Sequence, residues 1–329
     1  MRPLSPLTRL SLIAAAFFVA GCGGGTAPNP SGVATGGLAN ARGSRTSLSV
    51  PALVTVNTEN GSLAYWPIKH GGGQNFQSLT GAIGNVNDPY AMAANGTTML
   101  IANYSPATIV TYDIDTQAKS VLQDPYGGPL DVAIGRDGTI YALNIANVAV
   151  FAPDPSQVTE LTCAYVNEGE AIAVDNEGDI FVDGYGPRGF MGVIEYPAGS
   201  QSCVKPHLRA ALGYIAGVGV DPKTDDLIVV DDPDLCAGGN EGRMIIYPKP
   251  YQQRTSVRRN LNAQYCSGAF RLDAKSQHIF YADATVSAGF PLIEEARYPS
   301  GKWEGTYQAG YYSGGDFAGF TTIPNTLPN

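Results

Sequence analysis

Charge is scarce in this chain: only 15% of its 329 residues are Asp, Glu, Lys or Arg. Histidine is scarcer still, and His70, His207 and His278 lie far apart, without the close spacing of a local metal-binding motif. No serine sits in a nucleophile-elbow turn, so nothing supports a hydrolytic triad. Leucine-rich runs with a 3.6-residue period are also missing, which counts against a helical bundle. What the chain has instead is 40 glycines and 23 prolines, the punctuation of many short strands joined by tight turns. The composition therefore predicts an all-β fold. Basic residues are outnumbered, 20 against 29 acidic, and the formal charge of −9 repels phosphate backbones. Nucleic acid is excluded as an expected partner.

The first 22 residues stand apart. Arg2 and Arg9 precede "LSLIAAAFFVA" from Leu10 to Ala20, an apolar run of 11 residues that is too short for a mature membrane span and suits the apolar core of a signal peptide. The run closes on "VAGC" at Cys22, which resembles a bacterial lipobox, and membership of the bacterial lipoprotein class implies cleavage before Cys22 and lipidation of its thiol. The resemblance places the protein outside the cytoplasm, held to the cell envelope by its lipid alone. Residues 1–21 are then the signal peptide, 22–48 a flexible tether rich in Gly, Ser, Pro and Asn, and 49–329 the folded part. Without Arg2 and Arg9 the mature chain carries 18 basic and 29 acidic residues, a charge of about −11.

Four cysteines remain, Cys163, Cys203, Cys236 and Cys266, an even number in a compartment where disulfides persist. Three pairings are open to them.

One strand is written six times: "LVTVN", "MLIAN", "IYALN", "DIFVD", "LIVVD" and "IFYAD" end at Asn57, Asn103, Asn144, Asp183, Asp231 and Asp283. Before each of the last five lies a shorter apolar run, ending at Asn95, Gly135, Asp175, Asp221 and Asp273, with a hairpin-like turn between the two. These anchors are 40, 40, 46 and 52 residues apart, a period that points to propeller blades. A third strand follows each pair and ends on an aromatic, often with Pro behind it, as at Tyr196, Tyr247 and Tyr298. The first repeat lacks its innermost strand, whereas the chain ends on a lone one, "FAGFTTIPN". Residues 317–323 are therefore expected to complete the first blade, giving a six-bladed β-propeller of four-stranded antiparallel blades with no open edge.

The blades "DPYAMAANGTTMLIAN", "GPLDVAIGRDGTIYALN" and "EAIAVDNEGDIFVDG" resemble those of six-bladed NHL-repeat propellers, and more distantly those of the gluconolactonase group. The second resemblance implies a lactonase with a divalent cation on the ring axis, held where innermost strands begin. The matching positions here are Tyr90, Leu130, Glu170, Ala216, Gly268 and Ala318, with Asp131 beside them. One carboxylate in six departs from that pattern.

The terminal Asn or Asp of each second strand is expected to cap the following turn through its short side chain. All six also fall at one end of the ring, where Asn57, Asn103, Asn144, Asp183, Asp231 and Asp283 could form a polar collar facing a ligand, with Asp131 and Glu170 near it. The loop "DDPDLCAGGNEG" offers a weak cation clasp from Asp231, Asp232, Asp234 and Glu241. "GYGPRG" at 184–189 has dinucleotide-like glycine spacing, but strand-patterned sequence follows it where a helix is required, so no cofactor is expected. Tyr185, Tyr214, Tyr251, Tyr265, Tyr311 and Tyr312 fall in expected loops, where an aromatic face could stack on a sugar or peptide. Blade topology puts Cys236 and Cys266 at the same end of the fifth blade and so pairs them, leaving Cys163 with Cys203 by elimination. Taken together these features favour a binding or scaffold module without catalysis, for an unknown protein or carbohydrate ligand; a cation-dependent lactonase-like hydrolase is the runner-up.

Overall fold

The computed structural model describes residues 51–323, except 59, 69–71, 73–76, 154–156, 207, 209–211, 233–241, 252–255, 263–266, 285–290 and 309–316; side chains are also left undescribed at 214–216, 267–268, 283–284, 291, 308 and 317–318. The expected signal peptide, Cys22 and the tether lie outside the described residues, as do Asp234, Glu241 and the Cys236–Cys266 pair.

Strands β1 (Ala52–Asn57), β2 (Ser62–Pro67) and β3 (Gln77–Ala82) begin the ring. The second blade is β4 (Pro89–Asn95), β5 (Thr98–Asn103), β6 (Thr108–Asp113) and β7 (Lys119–Gln123), and the third is β8 (Asp131–Ile134), β9 (Ile140–Leu143), β10 (Asn147–Phe151) and β11 (Val158–Thr162). The fourth holds β12 (Glu168–Val174), β13 (Ile180–Gly186) and β14 (Phe190–Tyr196). The fifth is β15 (Tyr214–Val220), β16 (Leu227–Asp232), β17 (Arg243–Tyr247) and β18 (Val257–Asn260). The sixth is β19 (Ser267–Leu272), β20 (His278–Ala284), β21 (Pro291–Arg297) and β22 (Lys302–Gln308). The last strand, β23 (Phe317–Ile323), pairs antiparallel with β1, so the first sheet runs β23-β1-β2-β3 and the ring closes as the repeat predicts.

The fourth blade is the irregular one. Its outermost strand shrinks to a single bridge between Glu195 and Val204. Next to that bridge, Cys203 is joined by a disulfide to Cys163, which follows the outermost strand of the blade before, with 5.7 Å between their α-carbons. The bond ties down a periphery that strand pairing holds weakly. The expected long turn at "GYGPRG" is shorter: Gly184–Gly186 extend β13 in pairing with β14, and only a short 3-10 segment, Pro187–Gly189, joins the two strands.

Packing explains why the second strands read as unbroken apolar runs. Both faces of each blade are covered by its neighbours, so β16 is buried along its whole length and β5 along all but its first residue. Six buried clusters lie at the six joints, one between each pair of adjacent blades. Each fully buried Leu, Ile or Phe in them contributes about 1.5–3 kcal/mol. The aromatics that end third strands are joint residues: Tyr112, Phe151, Tyr196, Tyr247 and Tyr298 are all buried. In the first blade this role falls to Trp66, which is fully buried, while Tyr65 beside it is half-buried.

Candidate functional site

Antiparallel order defines two faces. Innermost strands begin and second strands end on the upper face; the turns between them lie on the lower one. Near the axis the repeat calls for small residues, and two positions before the anchors it supplies Ala93, Ala133, Ala173 and Gly219. In the sixth blade that position is Arg271.

Arg271 reaches across the ring. Its Nη2 donates to the Met92 carbonyl of the second blade at 2.8 Å and to Asp131 Oδ1 of the third at 3.2 Å, and its Nη1 donates to the Phe270 carbonyl at 2.9 Å. Asp131 is itself an exception, standing where other blades carry Ala91, Ala171, Gly217 and Ala269. Its Oδ2 accepts the Ile172 N–H of the fourth blade at 3.0 Å and its Oδ1 accepts the Val132 N–H at 2.9 Å. Burial pushes the Asp131 carboxyl up, and the Arg271 charge works against that shift. One ion pair thus links four blades across the axis. On its lower side lies a cavity of about 160 Å³ with walls that include Ala93, Val132, Ala173 and Phe270, and a rim with Arg136, Asp175 and Asp273.

This arrangement does not fit the axial cation that the gluconolactonase resemblance implies. Asp131 is matched by a guanidinium rather than held open for a hard cation, which needs six to eight oxygens. Among the described residues, ligand atoms of three His, Cys, Asp or Glu side chains converge elsewhere, at His278, Glu295 and Glu304, and not at Asp131 and Glu170.

Glu170 stands at the upper mouth. Its side chain has accessible surface, yet the innermost strands crowd it, and that crowding, followed by the charge of Glu168, pushes its carboxyl up to about 7. Water reaches the group from one side only, and that contact reduces the energetic weight of the shift. A carboxyl with a raised folded-state pKa binds its proton more tightly in the folded state, so its contribution to stability is complete below the ordinary value of 4.5 and is lost as pH rises to about 7. Between those limits, Glu170→Gln should remove about 1 kcal/mol of the pH dependence of stability, after solvent screening. Urea midpoints measured across that range check this, and identical slopes for variant and wild type would contradict it.

The polar collar is corrected by the structure. Asn57, Asn103, Asn144, Asp183 and Asp231 do end their strands, but all five are buried in the wall; the Asp283 side chain lies outside the described residues. Asn57 Oδ1 accepts the Asn60 N–H at 3.1 Å, capping its turn as expected. The others reach further. Asp183 Oδ1 accepts the Ala171 N–H at 2.6 Å beside a bulge in β12, and burial, then the charge of Glu170, hold its carboxyl well above the usual range. Asn103 and Asn144 each bond across their own turn, to Thr108 Oγ1 at 3.0 Å and Asn147 Oδ1 at 2.8 Å, and each also donates outside it, to the Asn85 carbonyl at 2.9 Å and to Asp124 at 3.2 Å. Asp231 accepts the Gly213 N–H at 2.9 Å and Arg243 Nε at 2.8 Å, so it is not an open ligand for the suggested cation clasp, and Asp232 is buried beside it. Turns are also capped by Asp residues that follow innermost strands: Asp175 Oδ1 accepts the N–H groups of Glu177 and Asp179, both at 2.9 Å.

Tyr251, expected on a loop surface, is also buried; its hydroxyl lies 3.0 Å from Asp175 Oδ2 and 2.8 Å from the Asp225 carbonyl, and its single proton is shared between these two acceptors. Tyr265, Tyr311, Tyr312 and the side chain of Tyr214 lie outside the described residues, and Tyr185 is half-buried. The exposed aromatics among the described residues are different ones: Trp303 on the outermost strand of blade six, and three tyrosines. Tyr90, Tyr126 and Tyr165 are 39%, 37% and 41% exposed, and Ile145 is 46% exposed. Each lies beside the start of an innermost strand or after the end of a second strand, which puts all four on the upper face of blades two to four. Tyr104 joins them with its ring centroid 5.2 Å from that of Tyr90, and Lys205 Nζ sits 4.2 Å from the Tyr165 ring and 4.3 Å from that of Phe190. In sequence these residues carry no period of their own, so only the ring shows that they share a surface.

No family profile matches the sequence, and no curated protein matches it. Solved structures do match. A chain from the crystal structure of a nidogen/laminin complex superposes with a TM-score of 0.63 at 14% identity, covering 84% of this chain and 99% of that one. TolB from Acinetobacter baumannii gives 0.60 at 13% identity over 83% of this chain and 66% of its own, and Kuenenia stuttgartiensis hydrazine synthase gives 0.53 at 13% over 89% and 100%. Identities this low carry the fold and nothing of activity, and what they establish is that this chain is a six-bladed β-propeller.

Proposed function

We propose that the chain is an exported lipoprotein whose propeller is a non-catalytic binding module, taking a protein or carbohydrate partner on its upper face. The observation that carries this reading is the group of Tyr90, Tyr104, Tyr126, Ile145 and Tyr165, exposed or half-exposed together on that face. Amphipathic rings with few rotatable bonds are the side chains that anchor interfaces and stack on sugars. The filled axis supports the same reading, because Arg271 stands against Asp131 where a lactonase would need open oxygen ligands. The anchor rests on the leader and on "VAGC" at Cys22.

Capture from envelope extracts tests the surface. The triple variant Tyr90→Ala/Tyr126→Ala/Tyr165→Ala should retain folding and lose at least about 10-fold in affinity for whatever the wild type enriches, since each truncated anchor costs about 1 kcal/mol or more. Equal capture by both proteins would remove this face from consideration. In the same cells, Cys22→Ala should abolish fatty-acid labelling and release the protein from the membrane fraction; equal labelling would dispose of the anchor.

A further inference from the structure

Blade six holds a second buried polar cluster, away from the axis. His278 on β20, Glu295 on β21 and Glu304 on β22 come from three successive strands, and a ligand atom of each lies within 4.8 Å of the other two. Glu304 is the extra residue of a bulge, since Glu295 pairs with Gly305 and Ala296 with Trp303. His278 and Glu295 are buried, 5% and 0% exposed.

The geometry differs from that of an ordinary ion pair. His278 Nε2 is 3.2 Å from Glu304 Oε2, yet that oxygen is buried and accepts no hydrogen bond among the described residues, so the two atoms are close without being aimed at each other. Two ligands of a tetrahedral zinc ion, each about 2.0–2.1 Å from it, stand about 3.3 Å apart. Behind the imidazole, Nδ1 faces Asp273 Oδ2 at 3.4 Å, while Asp273 Oδ1 is fixed by the N–H groups of Gln277 at 2.6 Å and of His278 at 3.1 Å. A carboxylate placed so selects the tautomer that presents Nε2 to the cluster, as the outer partners of metal-bound histidines do. The two glutamates are oriented as well: the Tyr307 hydroxyl donates to Glu295 Oε2 at 3.1 Å, and Arg297 Nη2 forms an ion pair with Glu304 Oε1 at 2.8 Å.

We propose that His278, Glu295 and Glu304 form a site for a divalent transition-metal ion, with Zn²⁺ the best match. One imidazole nitrogen with two carboxylates suits such an ion better than Ca²⁺ or Mg²⁺, which prefer oxygen alone. Its place in the fold suggests what it does. These side chains share a face of the sixth blade with Phe280, Ile293 and Tyr307, which pack on Leu53, Trp66 and Phe320 of the first. The ion would fasten three strands of the sixth blade beside the joint where the ring closes.

The test uses the purified full chain, stripped with chelator and titrated with Zn²⁺ alone, reading heat, bound metal and thermal unfolding. One equivalent per chain and a zinc-dependent rise in Tm are expected. Glu304→Gln and His278→Gln, both close in size to the native residues, should each weaken binding by at least about 100-fold, and Asp273→Asn by about 10–100-fold. Co²⁺ in place of zinc should show visible absorption that Glu304→Gln abolishes, which separates the site from surface binding. Circular dichroism of the apo variants confirms folding, and should His278→Gln not fold, Glu304→Gln decides alone. Zinc binding unchanged by Glu304→Gln, or no zinc-dependent rise in wild-type Tm, would overturn the proposal and leave an imidazole–carboxylate ion pair.

Discussion

A chain ending at residue 316 is expected to lose cooperative unfolding, because the deletion removes β23 and reopens the ring. β23 is the innermost strand of the first blade, and β1 pairs with it from Ala52↔Ile323 to Asn57↔Phe317. It also belongs to two joints at once: Ile323 packs in the cluster between blades one and two, and Phe320 in that between blades six and one. Burial of these two side chains contributes about 1.5–3 kcal/mol each. Polar ties add to them, since Thr55 Oγ1 donates to the Gly319 carbonyl at 2.8 Å and Thr322 Oγ1 donates to the Leu272 carbonyl at 2.8 Å. At Gly319 the contact with the second blade is so close that a Cβ would stand 2.8 Å from the Ala91 α-carbon. Without β23, the edge of β1 is left unpaired, a template for aggregation. The loss should reach at least about 5 kcal/mol, comparable to the whole stability of many domains. Far-ultraviolet thermal melts read it directly: a sharp transition within a few degrees of the full chain would show that the six blades do not depend on closure.

Arg271→Met should be the most damaging single substitution at the axis, costing about 3–5 kcal/mol at neutral pH. The guanidinium faces a carboxylate that is almost completely buried, and removing it leaves Asp131 with only the N–H groups of Val132 and Ile172. A charge so placed is almost fully buried and has lost its counter-ion, so the folded state bears its desolvation cost. Two consequences separate this account from a simple packing defect. Burial already raises the Asp131 pKa against the pull of Arg271. Without Arg271 it rises further, so the variant should recover stability as pH falls and the carboxyl takes up a proton. The double variant Arg271→Met/Asp131→Asn should regain about half of the loss, because Asn is neutral and its oxygen still accepts one of the two N–H groups. Urea denaturation of wild type, both single variants and the double variant closes the cycle. A loss below about 1 kcal/mol, or a double variant no better than Arg271→Met, would mean that the pair is not what holds the axis.

The repeat was legible because it obeys local rules. Alternation between apolar strands and turn residues, a period of 40 to 52 and a lone strand at the end determined the blade count, the strand order within blades and the closing partner of β1. These depend on neighbours close in sequence, or on a strand that has no other place to go. Arg271 was legible in principle, as a guanidinium at a position where the other aligned blades carry Ala or Gly, though its partner Asp131 lies 140 residues away. Burial of the second-strand Asn and Asp residues was not: their strand-end positions allow either capping or a ligand-facing collar, and only the bulge in β12 and the approach of Arg243 to Asp231 settle Asp183 and Asp231 into the wall. The cluster of His278, Glu295 and Glu304 had no motif to announce it, because its members sit on three strands and one of them turns inward through a bulge. Sequence alone determined which strands exist and how they pair; the ring decided which polar side chains meet, since that depends on where neighbouring blades and bulged strands bring distant residues within a few ångströms.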